Sequence, residues 1–266
     1  MPQHKLAYKE SVINYYTYGS GAKVLFCLHG YGETGSSFGF LENELGISYT
    51  LCAIDLPFHG ETTWKQRGPF TVHDMVAILH ATGLQKNVPF SMLAYSMGGR
   101  AAMHLLQQFP DRIDRAVLVA PDGLHLNFWY WLSTQTSVGN KLFDTTMNHP
   151  RWFFGFLDGA GKVGLLNKSI IKFVHHFLDN EEERTLLYKR WTVMRKFKPD
   201  LQLVKKICGE KSIPLHLVFG SYDRIILSKR AASLQTEKNI HVKIIEAGHN
   251  LMKEKYVHEI APLLYD

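Results

Sequence analysis

Seven stretches of the chain read as strands: Ser11 to Thr17, Val24 to Leu28, Tyr49 to Ile54, Val88 to Tyr95, Arg115 to Val119, Pro214 to Phe219 and His241 to Ile245. Most are short apolar runs bounded by turn residues, the pattern of strands buried on both faces. Helix-like segments separate them. In the clearest, Met97, Ala101, Ala102, Leu105, Leu106 and Phe109 recur at helical spacing and Pro110 stops the run. Such alternation predicts a mostly parallel sheet with helices on both faces. It breaks off after Ala120-Pro121-Asp122-Gly123 and resumes at Ile213-Pro214. The stretch between is aromatic and helical, and it holds four of the five tryptophans, Trp129, Trp131, Trp152 and Trp191. Within it Gly155, Gly159, Gly161 and Gly164 read as a loop, with a hinge between helices as the alternative.

Composition adds a few bounds. A chain of 266 residues can bury a sizeable core in one domain carrying an insertion. Cys27, Cys52 and Cys208 are scattered, with neither a disulfide framework nor a metal-ligand spacing, and read as small buried thiols. Met1-Pro2-Gln3-His4-Lys5 lacks the apolar run of a signal peptide, and no stretch approaches the ~18 apolar residues that span a bilayer. The expected setting is cytoplasmic, without stable membrane insertion. The formal charge is +6, and most of the excess falls between Asp122 and Lys206, where thirteen Lys and Arg face eight Asp and Glu. No nucleic-acid motif accompanies it. A solvated basic face explains it, and attraction of an anionic substrate is the sharper reading.

The chemistry concentrates just past four strands. Leu93-Ala94-Tyr95-Ser96-Met97-Gly98-Gly99 places a serine between a buried strand and a helix, flanked by small residues, which is the form of a nucleophile elbow with Ala94 at the first glycine of G-x-S-x-G. An N-cap serine in a closely packed turn would look the same. Gly220-Ser221-Tyr222-Asp223 follows one later strand and Glu246-Ala247-Gly248-His249 the last. A serine hydroxyl needs a base within reach, and the base an orienting acid, so Ser96, His249 and Asp223 can form a relay. Asp122, past the strand Arg115 to Val119, is the rival acid.

With His29-Gly30-Tyr31-Gly32 after the second strand and Asp55-Leu56-Pro57-Phe58-His59-Gly60 after the third, this chain resembles the α/β-hydrolase fold superfamily over nearly its whole length. The first of these is similar to the family's His-Gly oxyanion loop. The second is similar to its D-x-P-G-H-G loop, with Phe58 where Gly is common. The resemblance implies a mostly parallel eight-stranded sheet with a helical cap inserted after strand 6: core 1–121, cap 122–206, core 207–266. It also implies a Ser96, Asp223, His249 triad and an oxyanion hole from the backbone N–H groups of Met97 and Tyr31, with no cofactor and no metal.

Several roles stay open at this level. The cap aromatics form the insertion's own small core and its seam with the main domain, and some line the pocket, Trp129 and Trp152 among them. Phe128 to Leu132 as a membrane-touching patch ranks lower, because it is short. Arg100, one helical turn past Ser96, reaches toward substrate or pairs with a carboxylate in the next loop. The expected activity is hydrolysis of a small ester, thioester or related acyl substrate through an acyl-enzyme. The Ser-Met-Gly-Gly-Arg string also resembles the pyruvate-eliminating SHCHC synthase branch of menaquinone biosynthesis, and a non-catalytic ligand receptor is a third use of this fold. Ser96 argues against dehalogenase and epoxide hydrolase relatives, which need a carboxylate there.

Overall fold

A computed structural model describes residues 2–83, 88–162 and 178–265, with the side chains of 160–162 left aside. Eight strands form one sheet: β1 (Gln3–Tyr8), β2 (Ser11–Tyr18), β3 (Lys23–Leu28), β4 (Tyr49–Ile54), β5 (Phe90–Tyr95), β6 (Ile113–Val119), β7 (Leu215–Gly220) and β8 (Ile240–Ile245). Their order is β1-β2-β4-β3-β5-β6-β7-β8. Only the pairs β1/β2 and β2/β4 are antiparallel. All six residues of β5 are buried, as a central parallel strand covered on both faces requires. From β3 the chain passes first to β4 on one side and then to β5 on the other. The carboxyl ends of β3 and β5 therefore flank the crevice where such sheets bind ligands.

The sequence shows no strand over Gln3–Tyr8, yet β1 pairs with β2 from Gln3↔Tyr16 to Tyr8↔Ser11. Its residues are mostly exposed, so no apolar pattern marks it. The hairpin closes through Lys9-Glu10, with Lys9 at φ 52. Asn-Gly or Asp-Gly would have signalled that turn.

The described helices include α1 (Glu42–Leu45), α2 (Val72–Ala81), α3 (Met97–Gln108), α4 (Phe128–Gln135), α5 (Ser137–Asn148), α6 (Arg151–Lys162), α7 (Glu181–Val193), α8 (Leu201–Glu210) and α9 (Val257–Ile260). The chain divides into two compact units, Met1–His125 with Lys196–Asp266, and Leu126–Arg195. Phe197 packs within the first of these units: it is 1% exposed, and its ring lies 5.9 Å from both Phe70 and His104.

In that unit Tyr18, Phe38, Leu41, Leu45 and Tyr49 pack with the buried strand residues and with Val257, Ile260 and Leu264. All three cysteines are free and buried. Burial raises each thiol, Cys52 and Cys208 to about 12.

The second unit has its own aromatic centre. Tyr130 meets Trp191 at 5.2 Å, and Phe143 meets Tyr188 at 5.4 Å and Trp191 at 5.6 Å. One of its basic residues is not a solvated charge. Arg184 is buried and donates to the carbonyls of Met147, Leu178 and Asp179 at 3.0, 2.5 and 2.8 Å. The Met147 carbonyl belongs to the last turn of α5, where a cation complements the helix dipole. Gly155, Gly159 and Gly161 lie inside α6 rather than in a loop, and Gly164 falls outside the described residues. Added Cβ atoms at Gly155 or Gly159 would meet nothing within 4 Å, so no packing demands glycine there. No described helix is long and apolar enough to cross a membrane.

Candidate active site

Ser96 occupies the N-cap position of α3 directly after β5, but its side chain makes no capping bond. Its backbone stands at φ 47, ψ −114, which is costly for a residue with a Cβ. Three backbone bonds hold it there. Its N–H donates to the Val119 carbonyl at 3.0 Å, and its carbonyl accepts from Gly99 and Asp122, each at 2.9 Å.

The two glycines after it are required by close approach. A Cβ on Gly98 would lie 2.2 Å from the Leu28 carbonyl oxygen, and one on Gly99 2.5 Å from Pro121 Cβ. Gly30 is equally confined, since its Cβ would sit 2.8 Å from the Tyr95 ring and 3.3 Å from Ser96 Cβ. The loop after β3 therefore lies against the serine, and no side chain intervenes at Gly30.

Freed from capping, Ser96 Oγ lies 3.1 Å from His249 Nε2. On the far side of the ring, Nδ1 lies 2.8 Å from Asp223 Oδ2. Asp223 has a fully buried side chain, and its other oxygen accepts the N–H groups of Ile225 and Ile226 at 2.7 and 2.9 Å. An ionised carboxylate only accepts, so Nδ1 carries the ring proton and Nε2 is left to accept from Ser96.

The loops after β7 and β8 are joined by backbone bonds, Ser221 N–H to the Ile245 carbonyl and Tyr222 N–H to the Ala247 carbonyl, each 2.9 Å. Gly220 permits that approach, since a Cβ on it would lie 2.3 Å from the Ala247 oxygen. This clasp brings the acid to the imidazole. Tyr95 supports it from below, donating its hydroxyl to the His249 carbonyl at 3.1 Å.

The structure separates the two candidate acids. Asp223 reaches His249, whereas Asp122 forms an ion pair with Arg100 and accepts the Gly123 N–H at 2.6 Å. Arg100 thus takes the second of its two open positions, as the partner of a carboxylate in the next loop. Met97 follows Ser96 at the start of α3 and is buried. Tyr31 follows Gly30, is 39% exposed and meets the His59 ring edge-on at 6.0 Å. Trp129 and Trp152 belong to the second unit, on α4 and α6, and both are exposed.

Two loop residues, His29 and Asp55, prove to be framework by their bonding. Leu56 N–H donates to His29 Nε2 at 2.9 Å, so the ring proton sits on Nδ1 and goes to the Gly30 carbonyl at 2.7 Å. Buried Asp55 accepts from Asn14 Nδ2 and the Gly35 N–H, each at 2.7 Å, and from the Glu61 N–H at 3.1 Å. Phe58 adopts φ 63, the left-handed conformation that makes glycine common at that position.

Two residues beside the site escaped the sequence reading, Tyr95 and Glu33. Glu33 follows the Gly30 turn, and its Oε2 is buried with no hydrogen-bond partner. Burial raises its carboxyl, opposed by the Gly30 backbone, the charge of His249 and the Ser37 hydroxyl. Burial also raises the Tyr95 hydroxyl well above the ordinary phenol range, with Glu33 and Asp223 adding to it. No spacing rule points to either residue; only the fold places them.

Comparison with known proteins fits this geometry. Residues 23–256 match a family model described as alpha/beta hydrolase fold. A pimeloyl-[acyl-carrier protein] methyl ester esterase of Neisseria meningitidis serogroup C / serotype 2a is 32% identical over 98 residues, 37% of this chain and 36% of that protein. One from Salmonella heidelberg (strain SL476) is 33% identical over 106 residues, 39% of either protein. The chain spans well under half the length of the curated relatives it matches. Among solved structures, a thermophilic esterase from Thermogutta terrifontis superposes with a TM-score of 0.68 at 14% identity, covering 99% of this chain and 98% of that one. The enol-lactonase from Burkholderia xenovorans LB400 gives 0.64 at 16% identity, over 99% and 100%. At such identities the likeness is one of fold.

Proposed function

This chain belongs to the alpha/beta hydrolase fold family, and we propose from that premise that it is a serine hydrolase of small esters or thioesters. The observation that carries the reading is the unbroken relay Ser96 Oγ, His249 Nε2, His249 Nδ1, Asp223 Oδ2, spaced at 3.1 and 2.8 Å.

In the proposed reaction Ser96 attacks the substrate's carbonyl carbon while its proton passes to Nε2. Asp223 stabilises the imidazolium and holds the ring in register. The backbone N–H groups of Met97 and Tyr31 receive the negative oxygen, each contributing about 10²–10³ in rate. When the tetrahedral intermediate collapses, His249 returns the proton to the departing alcohol or thiol. Water, activated by the same imidazole, then releases the acid from Ser96.

The relatives named for a methyl ester of an acyl-carrier-bound acid favour ester over amide cleavage. The pairing of Arg100 with Asp122 engages the guanidinium on which the lyase reading leaned. Hydrolysis of a short p-nitrophenyl ester tests the proposal. Ser96→Ala should abolish turnover and fluorophosphonate labelling while the protein stays folded. Undiminished turnover in Ser96→Ala would reject the mechanism.

A further inference from the structure

A second carboxylate, Glu33, stands on the turn that packs against the relay, and it makes no bond to the relay's own side chains. Glu33 closes the turn after β3, where its N–H donates to the Gly30 carbonyl at 3.3 Å. Gly30 in turn lies against the Tyr95 ring and Ser96, and the Tyr95 hydroxyl holds the His249 carbonyl. The Tyr95 and His249 rings stand 5.5 Å apart. One Glu33 oxygen is buried and unbonded, so the field of that carboxylate is poorly screened by water. The groups felt at Glu33 are His249, the Gly30 backbone and Ser37, and those felt at Tyr95 are Glu33 and Asp223. No cation among these neutralises Glu33 except the imidazole itself when protonated.

We propose that Glu33 is a positioning residue that acts through His249, its charge favouring the imidazolium formed when Ser96 gives its proton to Nε2. The proposal rests on the triad reading above and assigns it a second anionic support. The proton that leaves Ser96 Oγ is the one that appears on Nε2, and Glu33 exchanges none. Attraction between two ionisable groups is reciprocal, so each must shift the other's titration.

Two NMR titrations of the substrate-free protein test this from opposite ends. The His249 imidazole, assigned by its loss in His249→Gln, should release its proton at a pH lower by roughly half a unit or more in Glu33→Gln. In Glu33→Asp, which keeps the charge, it should stay near the wild-type position. In His249→Gln the Glu33 carboxyl should titrate at higher pH, an arm that leaves Glu33 unaltered and decides the matter if Glu33→Gln does not fold. An unmoved His249 titration in folded Glu33→Gln, or an unmoved Glu33 titration in His249→Gln, would overturn the proposal. Neither measurement needs turnover. Shifted titrations without ester hydrolysis would therefore sink the esterase reading and leave the Glu33 role standing.

Discussion

The carbonyl of Ser96 accepts the N–H of Asp122 at 2.9 Å, which ties the turn after β6 to the elbow after β5. The same aspartate takes the Arg100 guanidinium from the first turn of α3. The acid past β6 is thus spent on holding the elbow, and the acid past β7 faces the imidazole.

That division separates the effects of two alanine substitutions. Asp223→Ala should lower kcat by about 10⁴-fold on a p-nitrophenyl ester, because the ring loses its tautomer and its counter-charge. Asp122→Ala should lower the denaturation midpoint and leave the acid and base of the pH–rate profile in place. Equal kcat losses in the two variants would refute the assignment.

Gly98 has no room for a methyl group. Gly98→Ala would press a Cβ to 2.2 Å from the Leu28 carbonyl oxygen, an atom of the central sheet that cannot yield. A loss of about 2–4 kcal/mol in chemical denaturation is expected, the range of severe backbone or core strain.

His216 makes stability depend on pH. Burial lowers its imidazole to about 4, and neighbouring His241 and Arg115 add to the effect. The two rings stack at 5.0 Å. Between the unfolded value near 6.5 and about 4, the unfolded chain binds the proton first, so this group's contribution falls as pH falls through that window and is constant above it. Guanidinium midpoints measured from pH 4 to 7 should drop less steeply in His216→Gln than in the wild type.

Arg184 should be the most sensitive of the described bases of the second unit. Replacing it by alanine leaves the carbonyls of Met147, Leu178 and Asp179 without their donor in a buried place. A cost of about 2–4 kcal/mol follows. Hydrogen exchange should quicken over Ser137–Asn148, whose last turn that guanidinium closes, while Lys141→Ala leaves it unchanged.

Much of this was readable from residue order because the site is built at strand ends. β4 runs Tyr49–Ile54, as its apolar run indicates, and α3 begins at Met97, as the spacing indicates. Ser96, Asp223 and His249 each follow a strand, and in a parallel sheet those ends share one edge. Residue order favours Asp223 over Asp122 although both follow strands, and the clasp between Tyr222 and Ala247 shows why it is the former that reaches the imidazole. β1 was hidden because its side chains face water and its turn uses Lys9. The glycines of α6 misled because each costs helix stability of only about 1 kcal/mol, which the apolar face of Phe153, Phe154 and Leu157 offsets. Glu33 had no pattern to betray it, since its role depends on a neighbour 216 positions away in the chain.

All three relay residues sit in the unit that the polypeptide leaves at His125 and re-enters at Lys196. The relay is therefore encoded on both sides of a seventy-residue passage to which it owes none of its three members. Exchanging that passage between those two junctions would leave every hydrogen-bonded atom of the relay in its own unit.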